Sequence, residues 1–210
     1  MREGGCRDMQ ENRAFLQMLL PARERVCLHL PEDIAKKSGA VFREEQGLLV
    51  LQSLNQAIEI SLPDCSFRPQ IGEWHQLVIL HYLGLADGTA VSSKMIPFGE
   101  LRDGLVRGVK FDRDTERELK SFLAGKSPEQ IRGICRELGG EFVDGWADLC
   151  VRFPFLPRYP LWLKIWFEDE EFEASGKLLV SESADHYLTI EDAVTVGDIL
   201  LSRLKNLVGH

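Results

Sequence analysis

The sequence predicts an α+β fold in which an antiparallel sheet, made of an early hairpin and a late three-stranded meander, packs with several helices. Apolar residues recur at helical spacing near both ends and in the middle of the chain, whereas residues 146–153 and 160–168 each alternate with a period of two. The 210 residues, 44% of them hydrophobic, suffice for a substantial core. We expect one globular domain over residues 1–210, with N-terminal helices and a hairpin (7–62) packed on the remainder.

Helices are predicted over residues 11–20, 22–30, 31–37, 73–83, 112–124 and 127–138, and near the C-terminus. The clearest signal is Ser127-Pro-Glu-Gln130, which combines an N-cap serine, a first-turn proline and the glutamine of a capping box. Residues 73–83 are apolar nearly all round, which is typical of a helix enclosed by others. Thr195 is expected to cap a final helix whose Ile199, Leu200, Leu204, Leu207 and Val208 face the core, while the acids of 189–192 are typical of a helix N-terminus.

Short β-favouring runs at 41–43, 48–51 and 57–62 predict the early hairpin. The late meander comprises 146–153, 160–168 and 177–181. Leu161, Leu163, Ile165 and Phe167 form one face of its second strand, so that the aliphatic sides of the first two strands are expected to turn together into the core.

The opposite face of the meander is the leading candidate site. It would collect Trp146, Arg152, Trp162, Lys164 and Trp166 as ligand-binding residues. Indoles offer flat contact area, and Arg and Lys can fix an anionic group, so this face could hold a small anionic or planar ligand or a protein partner. The alternative is ordinary packing, in which a helix covers the tryptophans and the charged side chains extend to solvent.

Acidic residues are concentrated in the second half of the chain. The net charge of −8 argues against a nucleic-acid partner, and residues 168–192 alone hold nine acids and one base. Carboxylate oxygens bind hard cations, so Glu168, Glu170 and Asp185 form a weak metal-site hypothesis. A solvated acidic hairpin is the alternative.

No motif in the sequence assigns catalytic residues. The five cysteines lack zinc or iron–sulfur spacing and are interpreted as reduced thiols. His75 and His81 lie six residues apart, about 240° around a helix, and do not form a metal-ligand pair. The Gly104/Gly108 spacing lacks the lysine of a phosphate loop. No signal peptide or apolar run long enough to span a membrane is evident, so a cytoplasmic location and no membrane partner are expected.

Several segments together carry a family resemblance over about residues 75–192. They are Leu77-Val-Ile-Leu-His-Tyr-Leu83, Ile96-Pro-Phe-Gly-Glu-Leu-Arg102, Phe153-Pro-Phe-Leu-Pro-Arg158 with Pro160 and Trp166, Asp169-Glu-Glu-Phe172, Tyr187-Leu188 and Glu191-Asp192. In these segments the chain resembles a prokaryotic family, domain of unknown function 3786. The resemblance implies a shared fold and no catalytic assignment. It also implies an anaerobic setting, with partners linked to corrinoid or iron–sulfur metabolism.

The leading functional expectation is a cytosolic binding or accessory module that uses the sheet face. A metal-assisted hydrolase or transferase using residues 168–171 and a purely structural interaction protein are the alternatives. The sequence leaves open whether the protein is an enzyme and which cofactor, if any, it uses.

Overall fold

The computed structural model describes residues 4–207, with side chains from Phe15 onward, and has the expected α+β architecture. Its helices are α1 (Gly4–Cys27), α2 (Pro31–Ser38), α3 (Glu73–Leu85), α4 (Gly104–Leu123), α5 (Pro128–Glu137) and α6 (Ile190–Asn206). Its strands are β1 (Val41–Arg43), β2 (Leu48–Ser53), β3 (Gln56–Ser61), β4 (Ser66–Arg68), β5 (Met95–Ile96), β6 (Glu141–Phe142), β7 (Leu149–Leu156), β8 (Tyr159–Trp166) and β9 (Ser175–Ser181). Over residues 4–207, no helix combines the length and the apolar character that a membrane span requires.

The strands form two separate antiparallel sheets. The early hairpin, β2–β3, is the centre of a four-stranded sheet in the order β1-β2-β3-β4. The late meander, β7-β8-β9, is the centre of a five-stranded sheet in the order β5-β9-β8-β7-β6. The two sheets meet where the Leu54 N–H donates to the Pro154 carbonyl at 3.0 Å. The sequence identifies both groups of strands but not their division into two sheets, because pairing between distant segments leaves no local pattern.

Three helix boundaries differ from the sequence prediction. Helix α1 continues through Pro21 instead of breaking there. Helix α4 begins at Gly104 rather than near residue 112, since close packing overrides the low helix propensity of its two glycines. Helix α6 is capped by the Thr189 side chain, which accepts from the Asp192 N–H, and Thr195 lies inside the helix. Val208, expected to face the core, lies outside the described residues.

The capping box of α5 is confirmed. The Ser127 hydroxyl accepts from the Gln130 N–H, and the Gln130 side chain accepts from the Ser127 N–H. These reciprocal bonds satisfy two backbone donors that a helix start otherwise leaves unpaired. The residue after the helix cap, Gly139, has a φ of 76°, in the left-handed region that favours glycine.

Close helix packing covers the aliphatic face of the five-stranded sheet. A Cβ added to Gly176 of β9 would lie 3.2 Å from Leu119 of α4. A Cβ on Gly197 of α6 would lie only 2.3 Å from the Phe111 ring of α4. Helix α4 is therefore held between β9 and α6, and this arrangement fixes the position of α6 relative to the sheet.

The Gly104/Gly108 spacing has a structural explanation. A Cβ on Gly104 or Gly108 would lie 2.4 or 2.2 Å from the Phe98 carbonyl oxygen, so only glycine lets α4 approach this backbone. The Asp112 carboxylate then accepts from the N–H groups of Phe98 and Gly99, at 3.0 and 2.8 Å. The N-terminal half of α4 is thus packed directly against Phe98 and Gly99.

Arg158, in the turn between β7 and β8, joins three parts of the chain. Its guanidinium donates to the carbonyls of Gly88 and Lys36, at 3.0 and 3.1 Å. Its backbone N–H donates to the Tyr82 hydroxyl at 2.9 Å. The last residue of the Phe153–Arg158 segment therefore stabilises the junction of α2, α3 and the five-stranded sheet.

The close approach at Gly108 can be tested by adding one methyl group. Gly108→Ala is expected to lower the free energy of unfolding by about 1–3 kcal/mol, because backbone atoms of Phe98 and Gly99 must shift to admit the Cβ. Gly133→Ala in α5 is the control, since nothing lies within 4 Å of its added Cβ. That change should raise stability by about 0.5–1 kcal/mol through helix propensity. Urea unfolding measures both, and equal effects would contradict the packing.

Candidate functional site

A cleft of about 820 Å³ lies between α3 and α6, with α1 and α4 at its edges. This volume is in the range of small-molecule sites. Its lining combines apolar surface with histidines, arginines, carboxylates and hydroxyls, contributed by Met18, Gly72, Glu73, Trp74, His75, Leu77, Val78, His81, Arg107, Thr189, Glu191, Asp192, Thr195, Asp198, Ile199, Ser202 and Arg203.

One side of the cleft is organised by Asp192, a buried carboxylate in the first turn of α6. Its Oδ1 lies 2.7 Å from Nδ1 of His81 on α3, and its Oδ2 accepts from the Thr189 hydroxyl at 2.7 Å. Because a carboxylate only accepts here, His81 must carry a proton on Nδ1, which leaves Nε2 as the free ring nitrogen of the neutral form. Within residues 15–207, Nε2 has no hydrogen-bond partner. His81 can therefore offer Nε2 to a ligand.

A second histidine orients a cation at the other end of the cleft. Arg203 Nη2 lies 3.4 Å from Nδ1 of His75, whose Nε2 lies 2.9 Å from the Ser53 hydroxyl. Burial, and secondarily the charge of Arg203, lower the pKa of His75 to about 4, so the ring is neutral at pH 7. Arginine only donates, so Nδ1 accepts from Arg203 and Nε2–H donates to Ser53.

Arg203 has free hydrogen-bonding capacity on the cleft. Its side chain is half-buried, and desolvation lowers its pKa from the ordinary value. Among residues 15–207, no carboxylate lies within ion-pair distance of it. A desolvated guanidinium with unused donors favours an anionic partner such as a carboxylate or phosphate.

Trp74, the second residue of α3, forms an apolar wall. Its ring meets Phe15 edge to face, with centroids 6.3 Å apart, and 45% of the residue remains exposed. Met18 of α1 borders the same space. At the rim, Arg107 Nε lies 3.1 Å from the Glu191 carboxylate. The flat aromatic surface of Trp74 and the cation of Arg203 thus line the same cavity.

The sheet face predicted from the sequence is partly assembled. Cys150 lies opposite Lys164 and Arg152 opposite Trp162, so the first two strands of the meander do turn their aliphatic sides together. Arg152 is, however, paired with Glu141 of β6 at 2.7 Å. Trp162 is only 6% exposed, so little of its ring is open to a ligand.

The three tryptophans do not form one surface. Trp146 was expected on the first strand of the meander, but β7 begins at Leu149 and Trp146 lies in the preceding loop, 96% exposed. The reason is that Asp148 ends the alternation by accepting from the Phe167 N–H at 2.8 Å. Trp166, half-buried, is the last residue of β8.

The three acids of the metal hypothesis do not lie together in the structure. Glu168 and Glu170 follow the end of β8, whereas Asp185 follows the far end of β9, about 20 Å away along a seven-residue strand. Asp185 instead accepts from the Arg102 N–H at 2.9 Å. Within the described part of the chain, no group of three His, Cys, Asp or Glu side chains could hold a metal ion.

The acidic run contains a turn. Asp169 Oδ1 accepts from the N–H groups of Glu171 and Phe172, at 2.8 and 2.7 Å, and these bonds lower the pKa of Asp169. Asp169 therefore shapes the loop between β8 and β9, while Phe172 is exposed.

Sequence reasoning missed the cleft. The sequence predicts His75 and His81 to be core or boundary histidines that form no metal pair. Their partners, Arg203 and Asp192, lie more than a hundred residues away in the chain. The one available signal was that the segments resembling the family contain both His81 and Asp192.

The neutral state of His75 predicts a pH dependence of stability. Its pKa is about 4 in the folded protein and about 6.5 when unfolded, so the unfolded chain binds more protons between these values. The stabilisation is complete above pH 6.5 and is lost as the pH falls towards 4. Between pH 7.5 and 4.5, His75 should account for about 2–3 kcal/mol of lost stability.

Urea unfolding of His75→Gln at both pH values measures this contribution. The variant should show a smaller loss between pH 7.5 and 4.5 than the wild-type protein, whatever its stability at pH 7.5. His29→Gln is the matched control, because His29 is exposed, and it should retain the wild-type loss. An unchanged pH dependence in His75→Gln would show that His75 is not held neutral.

Among known proteins, the chain matches one family model. Neither a curated protein nor a solved structure matches the chain significantly. The family described as "Domain of unknown function (DUF3786)" matches residues 31–203, which include α2 to the last turns of α6 and hence His75, His81, Asp192 and Arg203. The chain therefore belongs to the DUF3786 family.

Proposed function

We propose that this protein binds a small anionic ligand with a planar or apolar body, and that the ligand occupies the cleft between α3 and α6. The observation that carries the proposal is Arg203, a half-buried guanidinium on the cleft with no carboxylate partner among residues 15–207. The neutral His75 ring holds this cation in place without neutralising its charge. An anionic group is the partner that such a cation lacks.

The rest of the cleft supports the same class of ligand. Trp74 offers an exposed aromatic face for a planar body. His81 presents Nε2 as a further hydrogen-bonding atom, fixed by the contact between its Nδ1 and Asp192. Compared with the sheet face, the cleft is concave and its arginine is unpaired, whereas Arg152 already binds Glu141. The proposed ligand is therefore the one expected from the sequence, at a different site.

The cytoplasmic setting and an accessory role beside corrinoid or iron–sulfur metabolism remain part of this proposal. The accessory role rests on the family resemblance, and the cytoplasmic setting rests on the five cysteines, which are interpreted as reduced thiols. The cleft adds a place for a small metabolite of that setting, and it requires no metal ion.

Isothermal titration calorimetry with matched probes tests the ligand class. Indole-3-acetate and phenyl phosphate should bind, and the neutral isostere indole-3-acetamide should bind more weakly. Arg203→Gln should weaken binding of the anions about 10- to 100-fold, because a charge-assisted hydrogen bond is lost. It should leave binding of the amide nearly unchanged.

Arg113→Gln is the matched control, since Arg113 is an exposed cation of α4 outside the cleft. It should bind the anions like the wild-type protein. Lys164→Ala reports on the sheet face and should also have no effect. If no anionic probe binds, or if Lys164→Ala rather than Arg203→Gln weakens binding, the cleft proposal is wrong.

General acid–base chemistry is a second candidate function, favoured by the contact between His81 and Asp192. A carboxylate on Nδ1 fixes the orientation of the imidazole, which is the arrangement of a histidine that transfers protons through Nε2. Within residues 15–207, no serine, threonine or cysteine side chain is hydrogen-bonded to His81. The chemistry would therefore be proton transfer on the bound ligand rather than nucleophilic attack by the protein.

His81→Gln distinguishes binding from proton transfer. For a ligand bound in the cleft, this variant should retain the calorimetric affinity within about threefold, because glutamine keeps a polar group in the same space. Exchange of an acidic C–H of the ligand with deuterated water, followed by NMR, should fall about 100-fold or more. Equal exchange in the wild-type protein and the variant would leave binding as the whole function.

A further inference from the structure

Two cysteines far apart in the sequence lie side by side, away from the cleft. Cys27 is the last residue of α1, and Cys65 lies in the turn between β3 and β4. The Sγ atoms of Cys27 and Cys65 lie 3.2 and 3.7 Å from the same atom, the Pro63 carbonyl oxygen. Both thiols therefore point at one oxygen atom, and each lies in the electrostatic environment of the other.

The two thiols differ in accessibility. Cys27 is exposed, whereas Cys65 is fully buried. Burial, together with the neighbouring Cys27, raises the pKa of Cys65 to about 12, so Cys65 remains a thiol at neutral pH. An oxidant from solvent would therefore react with Cys27 first, and the buried Cys65 would be the neighbouring sulfur available for a second step.

We propose that Cys27 and Cys65 form a redox modification site, in which a hydroperoxide oxidises Cys27 and Cys65 resolves it to an intrachain disulfide. In the first step, the Cys27 thiolate attacks one peroxide oxygen and the O–O bond breaks, so that Cys27 becomes a sulfenic acid. The second peroxide oxygen leaves as hydroxide, which takes up the proton that the Cys27 thiol released and becomes water. In the second step, the Cys65 sulfur attacks the sulfenic sulfur, the S–O bond breaks, and the hydroxide takes the Cys65 proton to form a second water. The two thiols thereby lose two electrons, and the peroxide gains them.

The link would join the end of α1 to the four-stranded sheet. Helix α1 also packs along α3 and supplies Met18 to the cleft, so its position affects one wall of that cavity. Cys135 and Cys150 are buried on α5 and β7 and serve as internal references that should stay reduced.

Mass spectrometry of the full-length protein treated with hydrogen peroxide tests the proposal. The expected product is a monomer lighter by about 2 Da, and its digest should contain a peptide linking Cys27 to Cys65 that dithiothreitol cleaves. Treated Cys65→Ala should instead carry a dimedone-trapped sulfenic acid on Cys27. Treated Cys27→Ser should show no loss of mass, with Cys65 still reduced.

Circular dichroism of each variant before treatment establishes that the protein is folded, and the wild-type digest decides the result even if Cys65→Ala does not fold. A Cys27 oxidised without a link to Cys65 would overturn the proposal, as would a link from Cys27 to a second molecule or to Cys6. A wild-type protein that keeps both thiols after treatment would overturn it equally.

Discussion

The placement of α6 against α3 depends on one buried carboxylate, that of Asp192. A buried carboxylate is costly unless its oxygens are hydrogen-bonded, and here the His81 ring and the Thr189 hydroxyl take one oxygen each. Thr189 also caps the helix, so the same residues begin α6 and attach it to α3. Moving α6 along α3 would break the contact between Asp192 and His81 and would leave one oxygen of the buried carboxylate without its partner. The cleft is the space that remains between two helices held in this register.

The other buried polar side chain that lines the cleft, His75, explains why the apolar helix α3 has a polar end. Most of α3 is enclosed, as its composition predicts, but its first turns face the cleft through Trp74 and His75. A neutral histidine can accept from Arg203 and donate to Ser53 at the same time, so the four-stranded sheet, α3 and α6 share one hydrogen-bonded chain. An apolar residue at this position would pack as well but would leave the guanidinium without orientation.

Local patterns in the sequence predict local structure, but they do not predict sites that form through contacts between residues distant in the chain. The Ser127 capping box and the alternation in β8 are short-range signals, and both appear in the structure as predicted. The start of α4 was missed because Gly104 and Gly108 are poor helix formers in isolation. Glycine is needed at both positions because the backbone of Phe98 and Gly99 approaches α4 too closely to admit a Cβ. The cleft was missed in the same way, since neither His81 nor Arg203 is distinctive until its partner is known.

The distribution of acidic residues along the sequence is a further pattern that does not by itself predict a site. The acids of residues 168–192 follow one another in the chain, but β9 carries them from one end of the sheet to the other. There they meet separate partners: Glu173 pairs with Lys120, Glu182 with Lys94, Glu191 with Arg107, and Asp192 with His81. The local excess is thereby divided into single contacts, most of them exposed and individually weak. Charged residues form a site only when the fold brings them close together in space. Here the acids that are neighbours in the sequence lie apart, whereas the cleft residues, which are distant in the sequence, lie together.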